Sequence, residues 1–301
     1  MNAAIIPIVP AIQLKKILYA TDFSEASRRA LPIVSAIARR YGSEIYVVNV
    51  WSTLPYSMVG PEAVAILENK QEQDAKSDMA RFLQTSELQG LRTTPLVKSG
   101  EPTDEIQRIV GDLQIDLAIV ATHGRTGFRH LLMGSLAEEL LHSLSCPVLT
   151  VGPHLASRFT NPREIKVILC PTDLSPESRV VLPYLASLAA EYKAEIIALH
   201  VARPDKKGGP DERGKELLRE QMRRLFCPQV DPRCRLEVIV DSGHPAEKIL
   251  DYAKARQVDL IGLGVRQAGP LMLSHFRQTA AYKVVLEAEC PVLTYRGPAR
   301  W

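Results

Sequence analysis

The chain has no excess of charge of one sign, no Cys-x-x-Cys pair and no apolar run of membrane-spanning length. Each absence removes a class of function. Lys and Arg number 37 against 34 Asp and Glu, a net charge of +3 over 301 residues. Binding a phosphate backbone needs a dense patch of Lys and Arg, so no nucleic-acid partner is expected. A bilayer span needs about 20 consecutive apolar residues, and none occurs, so no membrane partner is expected either. The first residues lack a basic stretch, and Pro7 and Pro10 break the short apolar run, which argues against a signal peptide. The five cysteines (Cys146, Cys170, Cys227, Cys234 and Cys290) are odd in number and scattered. That pattern suits neither a disulfide framework nor a zinc site, and it points to a reduced, cytoplasmic compartment. His123, His130 and His142 have no ligand spacing, so no metal site is expected.

What is present is an ordinary globular composition, 46% apolar and 24% charged, on a chain long enough for two domains. The chain repeats itself. Lys16 to Val50 lies over Val167 to Val201 at a constant offset of 151, with Thr21/Thr172, Asp22/Asp173, Ser24/Ser175, Ser27/Ser178 and Pro32/Pro183 among the identical pairs. At offset 143, Ser99-Gly100-Glu101-Pro102 faces Ser242-Gly243-His244-Pro245, and Asp116-Leu117 faces Asp259-Leu260. At offset 144, Cys146-Pro147-Val148-Leu149-Thr150 faces Cys290-Pro291-Val292-Leu293-Thr294. Three collinear blocks mark a duplication. They divide the chain into domains 1–152 and 165–297, joined by a stretch rich in Pro, Ser and Asn.

Each copy alternates between strand-like and helix-like segments. In the first, Ile17–Ala20, Glu44–Trp51, Leu91–Lys98, Leu117–Val120 and Val148–Val151 read as strands. Ser24–Tyr41, Glu62–Thr85, Thr103–Gly111 and Ser135–Leu144 read as helices. The strands are mostly continuous apolar runs, the signature of parallel strands covered on both faces. The expected fold class is therefore α/β, two tandem doubly wound five-stranded parallel sheets.

In such sheets ligands sit beyond the carboxyl ends of the strands, where strand order reverses. Two loops of the first copy meet that description. One is Ala20-Thr21-Asp22-Phe23-Ser24-Glu25. The other runs from Ala121 through His123, Gly124, Arg125 and Gly127 to Gly134-Ser135. A glycine-rich loop opening a helix presents backbone N–H groups to an anion and reads as a phosphate cradle. It is neither a Walker A loop nor a dinucleotide G-x-G-x-x-G. Two plainer readings stand beside it: Ser135 as the N-cap of its helix, and Asp22 with Glu25 as a capping pair on the first helix.

The run Lys16-Ile-Leu-Tyr-Ala-Thr-Asp-Phe-Ser24, the Ser-Gly-x-Pro segment, the His-Gly-Arg-Thr-Gly loop and Cys-Pro-Val-Leu resemble the universal stress protein family over almost all of both copies. The resemblance implies strand order 3-2-1-4-5, as in adenine nucleotide alpha hydrolase-like folds. It also implies ATP, with Mg2+ as an optional companion, in members carrying Gly-x-x-Gly, nine residues, then Gly-Ser/Thr. The first copy offers Ala121-Thr-His-Gly124, nine residues, then Gly134-Ser135, with alanine at the first glycine. By this comparison Asp22 and Val50 face the adenosine, and Gly124, Gly134, Ser135 and Leu136 face the phosphates. Ala20, Thr21, Ala121 and His123 complete the candidate set by position, and Arg125 joins it by charge. The second copy keeps Gly264 but carries Gln278-Thr279 where Gly134-Ser135 stood, so it is expected to bind no triphosphate, or to bind something else.

The resulting expectation is a cytoplasmic stress-response protein that binds ATP in its first copy and signals through that occupancy to a protein partner. A scaffold that binds no nucleotide is the alternative. An ATP-hydrolysing enzyme is a third reading, with no dedicated catalytic residue expected: no Ser-Gly-Gly loop follows the first strand and no carboxylate pair marks a metal. The last strands, 148–151 and 292–295, are apolar sheet edges. Relatives with one domain pair through this strand, which implies that the two copies pair within one chain, with a further homodimer of the whole chain open.

Overall fold

The protein is described from a computed structural model, over residues 12–52, 61–122, 133–160, 164–203, 209–265 and 279–297. The chain divides into two compact units. One gathers Gln13–Pro153 and Arg158–Pro162. The other is built on Arg163–Trp301, with His154–Ser157 and the chain up to Ile12.

The first unit runs β1 (Lys16–Ala20), α1 (Glu25–Arg28), α2 (Leu31–Tyr41), β2 (Glu44–Trp51), α3 (Pro61–Phe82), β3 (Arg92–Ser99), α4 (Pro102–Leu113), β4 (Leu117–Ala121), α5 (Ser135–Ser143) and β5 (Val148–Val151). Its strands pair in the order β3-β2-β1-β4-β5, all parallel. The central strands are buried along almost their whole length: Ile17, Leu18, Tyr19, Val47 and Ile119 expose essentially nothing. That explains their unbroken apolar sequence.

The second unit repeats the plan: β6 (Val167–Pro171), α6 (Pro176–Arg179), α7 (Leu182–Tyr192), β7 (Glu195–Ala202), α8 (Glu212–Phe226), β8 (Leu236–Ser242), α9 (Pro245–Ala255), β9 (Leu260–Gly264), α10 (Ala280–Glu287) and β10 (Val292–Tyr295). Its order is β8-β7-β6-β9-β10, again parallel. Both sheets therefore have the 3-2-1-4-5 arrangement implied by the family resemblance.

The repeated Asp116 and Asp259 set the register at the amino edge. Asp116 Oδ2 accepts the Lys15 and Lys16 N–H groups at 2.8 and 2.9 Å. Asp259 Oδ2 accepts those of Lys166 and Val167 at 2.8 and 3.0 Å. A carboxylate at the start of the fourth strand thus satisfies the first donors of the central strand, and the opposite ends come to a common level.

The helix expected over Ser24–Tyr41 is two helices, α1 and α2. Pro32 has no N–H to give to the Arg28 carbonyl, so the ladder cannot continue through it. Pro32 instead lies in the first turn of α2, where a missing donor costs nothing. Pro183 makes the same break in the second unit. Among the described residues no helix is long and apolar enough to cross a membrane.

Candidate nucleotide site at the carboxyl edge of the first sheet

β1 lies between β2 and β4, with Ala20 in register with both Val48 and Val120. The chain leaves β1 toward β2 and leaves β4 toward β5, so the crevice where order reverses opens beyond Ala20 and Ala121. The structure brings Ala20, Thr21, Asp22, Val50, Ala121 and Gly134 to this edge, with Ser135 and Leu136 in the first turn of α5. His123, Gly124 and Arg125 lie outside the described residues.

The turn after β1 is held by its own side chains. Thr21 Oγ1 accepts from the Phe23 N–H at 3.0 Å and lies 3.0 Å from Ser27 Oγ. Asp22 Oδ1 accepts from the Ser24 N–H at 3.0 Å. Phe23 adopts a left-handed backbone at φ 63°, which is strained for a side chain of this size and persists only when its surroundings hold it. An aromatic cluster does so. Phe23 packs on Phe82 at 5.5 Å between ring centroids, Tyr19 stacks on Phe82 at 6.0 Å, and the Arg28 guanidinium lies 4.7 Å over the Phe82 ring. Burial pushes the Tyr19 phenol far above its ordinary range, although bonds to Thr21 and Ser27 pull it back. Its hydroxyl donates to the Ser27 carbonyl at 2.6 Å.

The second unit reproduces this turn bond for bond. Thr172, Asp173, Leu174, Ser175 and Ser178 take the same roles, and Leu174 stands at φ 64°. At the Tyr19 position is Cys170, fully buried, its thiol pushed up to about 12 by burial. A thiol so protected from ionisation is a packing group.

Neither plainer reading of the two loops is what the structure has. Asp22 does not cap α1. Ser24 does, its hydroxyl accepting from the Ser27 N–H at 3.2 Å, and Asp22 sits two residues too early, closing the turn before it. Nor does Ser135 cap α5. The N-cap is Gly134, with no side-chain capping bond, and Ser135 is already the first helical residue. The Gly134 N–H donates to the Thr122 carbonyl at 2.7 Å, so the last residue of the strand exit is tied to the helix start. A Cβ at Gly134 would lie 3.2 Å from that same carbonyl oxygen. Close backbone approach, not an unusual φ (−61°), is what glycine permits here.

The same region of the second unit is built differently. α10 starts one residue later, and Thr279, the counterpart of Ser135, is its N-cap, accepting from the Tyr282 N–H at 3.2 Å. The exposed Lys98, in register with Val50, is replaced by Asp241, in register with Val201 and paired with Lys248 Nζ at 2.9 Å. Gly264, the counterpart of Ala121, has a packing role. A methyl there would fall 2.0 Å from the Glu177 carbonyl oxygen and 2.7 Å from Ser178 Cα, at the start of α6. The second copy thus holds this glycine for helix–strand contact, while the first accommodates alanine. Gly264→Ala is expected to destabilise the second unit by about 1–3 kcal/mol through overpacking, whereas Ala121→Gly costs no more than about 1 kcal/mol. Denaturant unfolding of the two variants checks the difference.

The family model for the universal stress protein family matches residues 13–152 and again 164–296. The chain belongs to the universal stress protein family. It carries two tandem domains of it. A universal stress protein of Methanocaldococcus jannaschii is 30% identical over 156 residues, which cover 47% of this chain and 96% of that relative. A universal stress protein A homologue of Coxiella burnetii is 31% identical over 140 residues, 46% of this chain and 95% of the relative. The crystal structure of a universal stress protein from Archaeoglobus fulgidus superposes with a TM-score of 0.73 at 19% identity, over 95% of this chain and all of that one. That match extends the shared fold across both domains.

The sequence reasoning missed Asn49. Its side chain is buried and its Nδ2 donates to the Thr21 carbonyl at 2.8 Å. Its counterpart at offset 151 is His200, so identity between the copies gave no signal. The position just before Val50 was the available clue.

Proposed function

We propose that this universal stress protein binds ATP in its first domain, and that occupancy of that site regulates a protein partner. The observation that carries this reading is the amino end of α5, whose N-cap is a glycine. Gly134 holds it against the Thr122 carbonyl without a side-chain cap, whereas the equivalent helix of the second unit is closed by Thr279. The N–H groups of Ser135 and Leu136 in that first turn suit a phosphate. Asp22 and Val50 stand at the adjoining strand ends for the nucleoside, and the exposed Lys98 beside Val50 adds favourable charge. In the second unit a threonine caps the matching helix, and the place of Lys98 is taken by Asp241, ion-paired with Lys248, so neither feature favours an anion there and that domain serves as a structural partner without a triphosphate. Asp22 is committed to the Ser24 N–H, which suits anchoring more than proton transfer, so the role proposed is binding, not catalysis. Five free cysteines fit a reducing, cytoplasmic setting.

Purified full-length chain, assayed for bound nucleotide and titrated with ATP by calorimetry, is expected to hold a single nucleotide per chain. Nucleotide-free chain that gives no binding heat at millimolar ATP overturns the reading and leaves the scaffold in its place.

A further inference from the structure

In a parallel ladder continued past Ala20, the Thr21 carbonyl would accept from the N–H of Val50. The Thr21 N–H does continue the pattern, donating to the Val48 carbonyl at 2.9 Å, but the strand pairing ends at Ala20 with Val48. The Thr21 carbonyl is taken by the Asn49 side chain, at 2.8 Å. The acceptor is a carbonyl, so the atom facing it must be the amide nitrogen. The second unit makes the same substitution with different chemistry. His200 Nδ1 lies 2.9 Å from the Thr172 carbonyl, and the Thr172 N–H donates to the Leu199 carbonyl at 2.9 Å. An amide and an imidazole share little except a donor reaching the same point. Two copies that differ at this residue yet keep the bond place the requirement on the bond.

We infer that Asn49 is a positioning residue for the nucleotide site: its side-chain amide ends the β1–β2 ladder at Thr21, fixes the start of the Thr21–Ser24 turn that carries Asp22, and occupies the carbonyl that the Val50 N–H would otherwise meet. Peptide groups along β2 alternate between its two neighbours. The Trp51 carbonyl accepts from the Gly100 N–H on the β3 side at 3.0 Å, so the Val50 N–H is directed to the β1 side. There the carbonyl it would have met is already engaged by Asn49. The bond is buried, with Asn49 about nine-tenths shielded from solvent, so removing its donor leaves a carbonyl without its partner away from water. Thr21 Oγ1 and Asp22 Oδ1 bind the next two N–H groups, those of Phe23 and Ser24, and displacement of Thr21 is carried directly into them. The consequence for affinity rests on the ATP reading above; the effect on the turn does not.

The test uses full-length Asn49→Leu, which keeps the branched shape and removes the donor, and Asn49→His, which installs the group used by the second copy. Amide hydrogen exchange at Phe23 and Ser24 is expected to rise about tenfold in Asn49→Leu. In Asn49→His it is expected to stay within about threefold of the parent. ATP affinity is expected to follow the same pattern. Unchanged exchange at Phe23 and Ser24 in Asn49→Leu overturns the inference. So does a uniform rise across the whole first unit, which marks a purely structural role, or a failure of histidine to restore the turn. If the parent protein binds no ATP while exchange still responds as described, the positioning role stands and the nucleotide reading falls.

Discussion

Gly134→Gln is expected to weaken ATP binding by at least about a hundredfold while leaving the fold intact. The substitution gives the first domain the residue that the second carries at position 278. Two effects act together. The new Cβ lies 3.2 Å from the Thr122 carbonyl oxygen, which already accepts the Gly134 N–H at 2.7 Å. That neighbour is backbone at the end of β4 and yields only by moving the strand exit or the helix start. The longer side chain then lies beside the first turn of α5, over the N–H groups proposed for phosphate. Stability should fall by no more than about 1 kcal/mol, because φ at Gly134 is ordinary and no side-chain cap is lost. Calorimetry of ATP binding beside a thermal melt separates the two effects. A Gly134→Gln protein that binds ATP as the parent does would remove α5 from the site.

Phe82→Ala should have the largest effect on stability of any single substitution considered, about 3–5 kcal/mol. The ring is fully buried at the end of α3 and is the common contact of Tyr19, Phe23 and Arg28. Its removal leaves a cavity under the turn after β1 and takes away the face on which the Arg28 cation rests. A native stability of about 5–15 kcal/mol means that such a loss brings the first unit near its unfolding threshold at physiological temperature. Denaturant unfolding followed by exchange at amides of each unit should show the shifted transition in the first unit, which carries the Phe82 cluster. A shift below about 1 kcal/mol would contradict the cluster's role. Phe23, held at φ 63° over that ring, should relax as well, and nucleotide affinity of the folded fraction should drop with it.

The layered fold was legible because it rests on periodicity. Unbroken apolar strands and amphipathic helices recur twice at fixed offsets, and strand order follows from the family resemblance carried by the motifs. The break between α1 and α2 was also available, since Pro32 and Pro183 stand in matching places, but the apolar spacing on both sides of each proline hides it. Loop chemistry and motif spacing singled out Asp22, Gly134 and Ser135 as candidates, while their local backbone roles were not legible. Whether Ser24 or Asp22 caps a helix depends on where the chain turns, and the turn is set by a left-handed Phe23 that no propensity favours. Gly264 matched the motif better than Ala121, yet it packs against α6, a contact between residues far apart in sequence. Asn49 stayed hidden because its function is a bond to a backbone carbonyl, and a carbonyl has no letter in the sequence.

The bond between the Gly134 N–H and the Thr122 carbonyl ties the exit of β4 directly to the start of α5. The strand exit and the helix start are therefore mechanically coupled, and a substitution that shifts one end is carried directly into the other.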